Sequence, residues 1–446
     1  MLQVLANRTY RHLFLAQVIA LVGTGLATVA LSLLAFDLAG ADAGAVLGTA
    51  LAIKMIAYIG VAPIAGAFAD RLPRRSFLIA MDVVRAAVAL VLPFVSEIWQ
   101  IYILIFVLQS ASAAFTPTFQ ATIPDVLPEE RDYTRALSLS RLAYDMESLT
   151  SPALAAALLS VMSFHWLFSG TALGFVASAL TVATTVLPQP KPSEARKGGI
   201  YHRTTHGVRI YLATPRLRGL LAVTLAAAAA SAMVIVNTVV IVRELLGRPQ
   251  GDVALALAAY GGGSMLAAFV LPRVLDRFAD RTIMVGGAAA ATLILAYAET
   301  VVAVMNPSDL WPWLLGGWTL LGAAYSAAVT PGGRLLRRSA GAENRPALFA
   351  AHFALSHVCW LVAYPMAGFL GSEQGMVASF AGMAALALAG ATLAYFVWPS
   401  HDPDVLPHSH PELQPDHPHL LEGHALDAPQ HAFVIDELHP QWPNRA

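Results

Sequence analysis

Charge is scarce in this chain. Only 12% of its 446 residues are Asp, Glu, Lys or Arg, about half the share of an ordinary soluble domain. So few charges cannot clothe a water-soluble protein of this size. That excludes a soluble enzyme, a nucleic-acid binder and a disordered scaffold, and makes lipid the solvent for most of the chain. Cysteine is scarcer still: Cys359 stands alone, which excludes a disulfide framework and a multi-cysteine zinc or iron–sulfur site. Strand-like alternation is missing, and the apolar runs are too long for barrel strands. No Gly-x-x-x-x-Gly-Lys loop is present to cradle a nucleotide phosphate, and no Ser/His/Asp hydrolase arrangement is readable. Gly261-Gly262-Gly263-Ser264 lies in an apolar run and reads as a close helix-packing site. Without a nucleotide site, transport driven by an ion gradient is the class that remains.

What is present is apolar sequence, 57% hydrophobic residues with a mean hydropathy of +0.62. A spanning helix needs roughly 20 mostly apolar residues. Twelve such stretches lie near 12–35, 44–68, 76–96, 100–121, 139–161, 165–187, 219–242, 252–275, 282–305, 311–331, 347–370 and 375–397. The expected fold is therefore an all-α membrane protein with twelve transmembrane helices. The first span is too long for a removable signal, and Gly40, Asp42 and Gly44 lead straight into the second. Basic residues set the orientation. Of 27 Lys and Arg residues, 23 fall at the amino end, in alternate loops or in the carboxyl tail. Arg243 and Arg248 fall on the opposite side, and Lys54 and Arg85 within spans. Both termini are expected in the cytoplasm and the protein in the plasma membrane.

The longest connection, 188–218, is basic and divides a first six-helix half, 1–187, from a second, 219–398. The halves echo each other. Ala113-Ala114-Phe115-Thr116-Pro117 recurs as Ala327-Ala328-Val329-Thr330-Pro331, and Ser151-Pro152-Ala153-Leu154-Ala155 as Tyr364-Pro365-Met366-Ala367-Gly368. Repeated six-helix halves are a transporter signature, with the cargo site between them. Pro117 and Pro331 are expected to kink or end their helices.

An ionisable side chain within a span costs at least about 2.5–3.5 kcal/mol and is a functional candidate until a partner explains it. The fifth span carries Asp145 and Glu147, which lie about 200° apart around a helix. Arg141, one turn before Asp145, can neutralise it at the membrane edge; Glu147 has no such neighbour and is the best single candidate for a proton- or cation-binding carboxylate. Lys54, midway through the second span, needs a carboxylate from another helix, Glu147 or Asp145. Such a pair either locks two helices together or lets an incoming proton or cation compete for the carboxylate. Asp82 and Arg85 are spaced to neutralise each other. The eleventh span offers His352, His357 and Cys359; His357 and Cys359 are soft ligands on different sides of one helix.

The segment 399–446 is a different material, a flexible tail with eight of the 14 histidines and one basic residue, Arg445. His408-Ser409-His410 and His417-Pro418-His419 form two His-x-His pairs near Glu412 and Asp416. With His424, His431 and His439 they are candidate ligands for a borderline divalent metal such as nickel, cobalt or zinc, to be lost as imidazoles protonate below about pH 6.5. The stretch 401–430 is expected to form neither a core nor a long helix, whereas 431–439 is apolar enough to dock against something.

Gly66-Ala67-Phe68-Ala69-Asp70-Arg71-Leu72-Pro73-Arg74-Arg75, between the second and third spans, resembles the Gly-x-x-x-Asp-Arg-x-x-Arg-Arg motif of major facilitator transporters, with Pro73 in place of the usual Gly. The resemblance implies the major facilitator fold, two pseudo-symmetric halves that rock about a central cavity, and a latch built from Gly66, Asp70, Arg71, Arg74 and Arg75. Within that superfamily the body with its His-rich tail, together with Arg141-Leu142-Ala143-Tyr144-Asp145-Met146-Glu147, resembles the Nre-type nickel-resistance exporters. That resemblance implies export of a divalent transition metal, nickel or cobalt, in exchange for protons. Lys54, Asp145, Glu147 and His357 would line the cavity and the tail would supply metal. The alternative cargo is an amphipathic organic compound, a siderophore or drug, with the tail regulatory. No cofactor, nucleic acid or catalytic residue is expected, and the protein is expected to be a monomer.

Overall fold

The computed structural model describes residues 2–68, 73–187, 200–341, 344–402, 433–435, 439 and 442. In lipid every backbone polar group must be satisfied within its own segment, so apolar runs become helices. The first half holds α1 (Arg8–Ala39), α2 (Ala43–Phe68), α3 (Arg74–Val91), α4 (Ile98–Val126), α5 (Glu130–Leu159) and α6 (His165–Ala183). After α7 (Ile200–Ala213), the second half holds α8 (Pro215–Val240), α9 (Gln250–Leu275), α10 (Asp280–Val304), α11 (Leu310–Val329), short α12 (Gly332–Arg338), α13 (Arg345–Glu373) and α14 (Met376–Val397). Setting aside α7 and α12, twelve long helices are described, one for each expected span. Nine stretches are long and apolar enough to cross a membrane by composition, the first, Arg8–Ala62, running through both α1 and α2. Helices α5 and α11 fall outside those nine. Helix α5 carries Asp145 and Glu147 within its expected span and packs on α9 of the other half.

Several helices outrun the apolar stretches that announce them. Helix α4 continues to Val126 and α5 begins at Glu130, because hydropathy marks only the part that crosses lipid. The linker 188–218 contains α7, a helix that hydropathy does not announce. Pro331 ends α11 and opens α12, while Pro152 and Pro365 sit inside α5 and α13, the equivalent helices of the two halves.

Packing repeats from half to half. In the first, α1 packs on α5 and α6, α2 on α4, and α3 on α4 and α6; in the second, α8 packs on α13 and α14, α9 on α11, and α10 on α11 and α14. Between halves the main contacts are α2 with α13 and α5 with α9, which exchange when the halves exchange. Helix α8 is the most enclosed, 89% of its span being buried against 33% for α9 and α10. Its alanine run, Ala226–Ala230, lets neighbours approach from every side. Glycines carry the closest approaches. A Cβ on Gly48 of α2 would stand 2.5 Å from the Tyr364 carbonyl oxygen of α13, and one on Gly368 would strike the backbone of Gly44. These contacts lie toward the end of the molecule away from the arginine-rich loops. Gly263 and Gly322 bring α9 and α11 together in the same way, the role expected of the Gly261–Ser264 run.

Ion pairs tie the arginine-rich end of each half. Buried Arg74, opening α3, pairs with Asp125 near the end of α4, and Arg75 donates to the Ala183 carbonyl of α6. In the second half Asp280, opening α10, pairs with Arg334 of α12. Each half thus ties the start of its third long helix, by an ion pair, to the end of its fourth or to the short helix that follows it. Gly66 lies in the last turns of α2, and Asp70 and Arg71 lie outside the described residues. Asp82 and Arg85 form the buried pair expected of them; Ser178 donates to Asp82 at 2.8 Å, and the Arg85 guanidinium lies between Phe115 and Phe175, 4.2 and 4.6 Å from their ring centroids. The pair is structural.

The tail is not wholly loose. Asp402 accepts from Arg216 at 3.3 Å and pairs with Arg338, so the chain is fixed past the last span. Phe433 and Ile435 are buried in the core. Phe433 packs edge-on against His439 and Trp442, at 4.7 and 5.1 Å, and the Arg216 guanidinium lies 5.2 Å from the Trp442 ring centroid. Ending the chain at residue 398 removes the carboxylate and the aromatic partner of Arg216, which is 1% exposed, and leaves its bonds to Ser339 and to the Arg338 carbonyl. Removing one partner of a buried pair costs about 3–5 kcal/mol. The truncated protein is expected to melt several degrees lower in a thermal-shift assay, and the substitution Trp442→Ala to produce only part of that loss, since it keeps Asp402.

Candidate functional site

The interface of α2 with α13 and of α5 with α1 brings three of the four expected cavity residues together. Lys54 and Tyr58 lie four residues apart on one face of α2; Phe353 and His357 lie four apart on one face of α13. The Tyr58 ring stacks on His357 at 5.4 Å and 7° between planes, and lies 6.0 Å from Phe353. The Lys54 ammonium is 5.9 Å from the centroid of the same Tyr58 ring. From the first half Glu147 of α5 interacts electrostatically with Lys54, and Lys54 with His357. Lys54, Glu147 and His357 are half-buried. Glu147 is the carboxylate among the described side chains whose charge acts on Lys54, without a direct ion pair between the two. Asp145 belongs to α5, and its side chain, like that of Arg141, lies outside the described residues.

Local sequence explains the geometry. Gly25 of α1 leaves the room that the Glu147 carboxylate occupies: a Cβ there would stand 2.7 Å from Oε1 and overlap Ser151. Ser151, one turn beyond Glu147, is buried, and its hydroxyl has no partner among the described residues. Pro152 follows at once and removes one backbone bond of α5, so polar capacity and helix flexibility coincide beside the carboxylate. His357 Nδ1 lies 2.6 Å from the Phe353 carbonyl oxygen. A carbonyl only accepts, so Nδ1 donates, and the neutral ring keeps Nε2 as an acceptor.

The other candidates fall elsewhere. Cys359 is buried with its thiol toward the Leu221 and Leu355 carbonyls, 3.9 and 3.7 Å away, on a different side of α13 from His357. His352 meets the Tyr211 hydroxyl at 3.0 Å and joins α7 to α13. Burial raises the Tyr211 phenol well above its ordinary range, so it stays protonated as a donor. Among the described residues no three His, Cys, Asp or Glu side chains gather to hold a metal. His439 is buried against Phe433; His408, His410, His417, His419, His424 and His431 lie outside the described residues. Tyr58, Phe353, Gly25 and Ser151 were not singled out from sequence. Spacing of four residues from Lys54 and from His357 is the signal that points to Tyr58 and Phe353; for Gly25 there was none.

Comparison with known proteins decides the family. The Major Facilitator Superfamily profile matches residues 13–247 and 220–434. The chain belongs to the Major Facilitator Superfamily. It is a multi-pass membrane protein with the fold of that superfamily of transporters. Macrolide efflux protein A of Streptococcus pyogenes is 29% identical over 153 residues, which is 32% of this chain and 38% of that protein; the chain thus spans well under half of that relative. The uncharacterized MFS-type transporter YvqJ of Bacillus subtilis is 23% identical over 370 residues, 79% of this chain and 83% of its own. Among solved structures, a D-xylose–proton symporter superposes with a TM-score of 0.67 at 14% identity, covering 88% of this chain and 97% of the symporter.

Proposed function

We propose that this facilitator-fold protein exports an amphipathic organic compound, of the drug or siderophore kind, in exchange for protons. It would sit in the plasma membrane as a monomer with both termini and the arginine-rich loops in the cytoplasm. The observation that carries the reading is the placing of two opposite charges, Lys54 of α2 and Glu147 of α5, half-buried near the meeting of the halves, with the Tyr58, Phe353 and His357 rings gathered beside Lys54. Aromatic rings give an apolar cargo a shelf, and a carboxylate balanced by a lysine changes its interactions when it takes up a proton. Protonation of Glu147 removes the charge that holds Lys54, loosening α2 from α5; loss of the proton to the other side restores it. Alternating access needs this difference between two arrangements of the halves. The macrolide efflux relative supports an organic cargo.

Nickel or cobalt as the cargo of the body has less in its favour. Among the described residues the site gathers one carboxylate and one imidazole around a resident ammonium, which repels a divalent cation, and Cys359 faces away. Metal binding remains a proposal for the tail alone, through His408, His410, His417, His419, His424 and His431. Titration of the full protein with nickel, cobalt or zinc in a calorimeter tests it: binding lost on ending the chain at residue 398 supports the assignment, and equal binding by both forms overturns it.

The test of transport is accumulation of a radiolabelled macrolide, and of a panel of metals, in cells carrying the full protein or an empty vector. Macrolide is expected to fall only in cells with the protein, and to recover when a protonophore collapses the proton gradient. Lowered nickel or cobalt with unchanged macrolide would reverse the choice of cargo.

A further inference from the structure

The arginine-rich face of the second half carries a cavity that the transport site does not use. It has a volume of about 460 Å³ and is lined by Asp280, Arg281, Arg334, Arg338, Ser400 and Asp402 among others. Two of its arginines are matched: Arg334 pairs with Asp280 and Arg338 with Asp402. Arg281 is held differently. It donates at 2.8 Å to the carbonyls of Trp398 and Tyr395, at the end of α14, and stacks on the Tyr395 ring at 5.1 Å. Those acceptors fix the guanidinium without neutralising it. Asp402 is shared with a further arginine, Arg216. The cavity therefore keeps a net positive charge, with one guanidinium oriented by backbone carbonyls.

Its surroundings say what kind of anion it would meet. Helix α10 is buried over 33% of its span and packs mainly on α14, α11 and α8 of its own half, so the flank of α10 and α14 faces lipid. Phe278 lines the cavity, Tyr395 stacks on its Arg281 and Phe396 packs on Tyr395, the three being 55 to 77% exposed. Aromatic side chains at that level mark the headgroup zone of a bilayer, and basic pockets at helix ends on this face suit acidic headgroups. A guanidinium held in plane offers a phosphate oxygen a charge-assisted bond.

We infer that this cavity binds the phosphate of an anionic lipid headgroup, with the acyl chains running down the exposed faces of α10 and α14. A soluble phosphate offers the same anion but leaves the aromatic rim unused.

The full protein, reconstituted in an equimolar mixture of phosphatidylcholine and phosphatidylglycerol and then extracted, carries its retained lipids into a mass spectrometer. The wild type is expected to retain phosphatidylglycerol about fivefold over phosphatidylcholine, the factor that matches about 1 kcal/mol for one basic residue at an anionic surface. Arg281→Gln is expected to bring the ratio to that of the bulk. Ser400→Glu adds a carboxylate to the lining while leaving each ion pair in place, and is expected to do the same with an unchanged melting temperature; it decides the matter if Arg281→Gln unfolds. No enrichment in the wild type, or enrichment kept in Ser400→Glu, overturns the inference. Inorganic phosphate in large excess separates the two sources: retention unchanged supports the lipid, and displacement of phosphatidylglycerol overturns it in favour of a soluble anion.

Discussion

A Glu147→Gln protein is expected to export at least about a hundredfold more slowly than the wild type while inserting and folding normally, the low end of what removal of a proton-transferring group costs. Glutamine keeps the volume and an oxygen for Lys54, so the packing against Gly25 and Ser151 survives; what disappears is the group able to take up and release a proton. Lys54→Met should behave differently. It leaves a carboxylate in the interface without its ammonium, and the penalty falls on stability as well as on transport. Combining the two substitutions removes both charges, so melting temperature is expected to recover while transport does not. A coupling of about 0.5–3 kcal/mol in that cycle, measured by thermal unfolding, is the range for residues that interact, and none would separate the two charges. A Glu147→Gln protein exporting at the wild-type rate would remove this residue from the coupling scheme.

Substituting Gly48 by leucine is expected to open the halves at the end away from the arginine-rich loops. The Tyr364 carbonyl oxygen stands 2.5 Å from where the first side-chain carbon would be, and that oxygen belongs to a helix backbone which cannot swing aside. Overpacking of this kind costs about 1–3 kcal/mol, which moves a two-state equilibrium about 5- to 150-fold. Spin labels at Asp42 and Gln374, both exposed on that end, are expected to show a longer distance in Gly48→Leu. Gly60→Leu, where nothing lies within 4 Å of the added carbon, serves as the control and should leave the distance unchanged. Identical distances in all three proteins would mean that the glycine contact does not set the closed arrangement.

Much of this was readable from the chain, for reasons that differ between elements. Long apolar runs have one solution in lipid, so helix number and rough position follow from hydropathy alone. The 213-residue echo of Pro152 in Pro365 locates equivalent helices because a helix-breaking residue is tolerated where its neighbours compensate. Lys54 was legible as a charge in need of a carboxylate, Glu147 or Asp145, because a charge in a span needs an opposite one. Tyr58 and Phe353 were not, since an aromatic residue in an apolar run looks the same whether it meets lipid, core or cavity. Gly25 was silent for a similar reason: what it provides is empty space, which only the neighbouring helix defines. Helix α7 escaped because its periodicity lies in a basic, Pro- and Gly-containing stretch. The metal reading came from histidines in the tail, a segment whose composition speaks of ligands and not of what the body carries.

The burial of Arg216 bears on how the protein is made. This arginine opens the second half, yet its carboxylate partner Asp402 is 186 residues downstream, and Trp442 comes later still. During synthesis the guanidinium must wait at the membrane surface until nearly all of the second half has been inserted. A chain stopped before residue 402 would hold the base of α8 only through Ser339 and the Arg338 carbonyl. The order of synthesis therefore sets the order in which this corner of the protein closes, its carboxylate and its ring arriving after the helices they fasten.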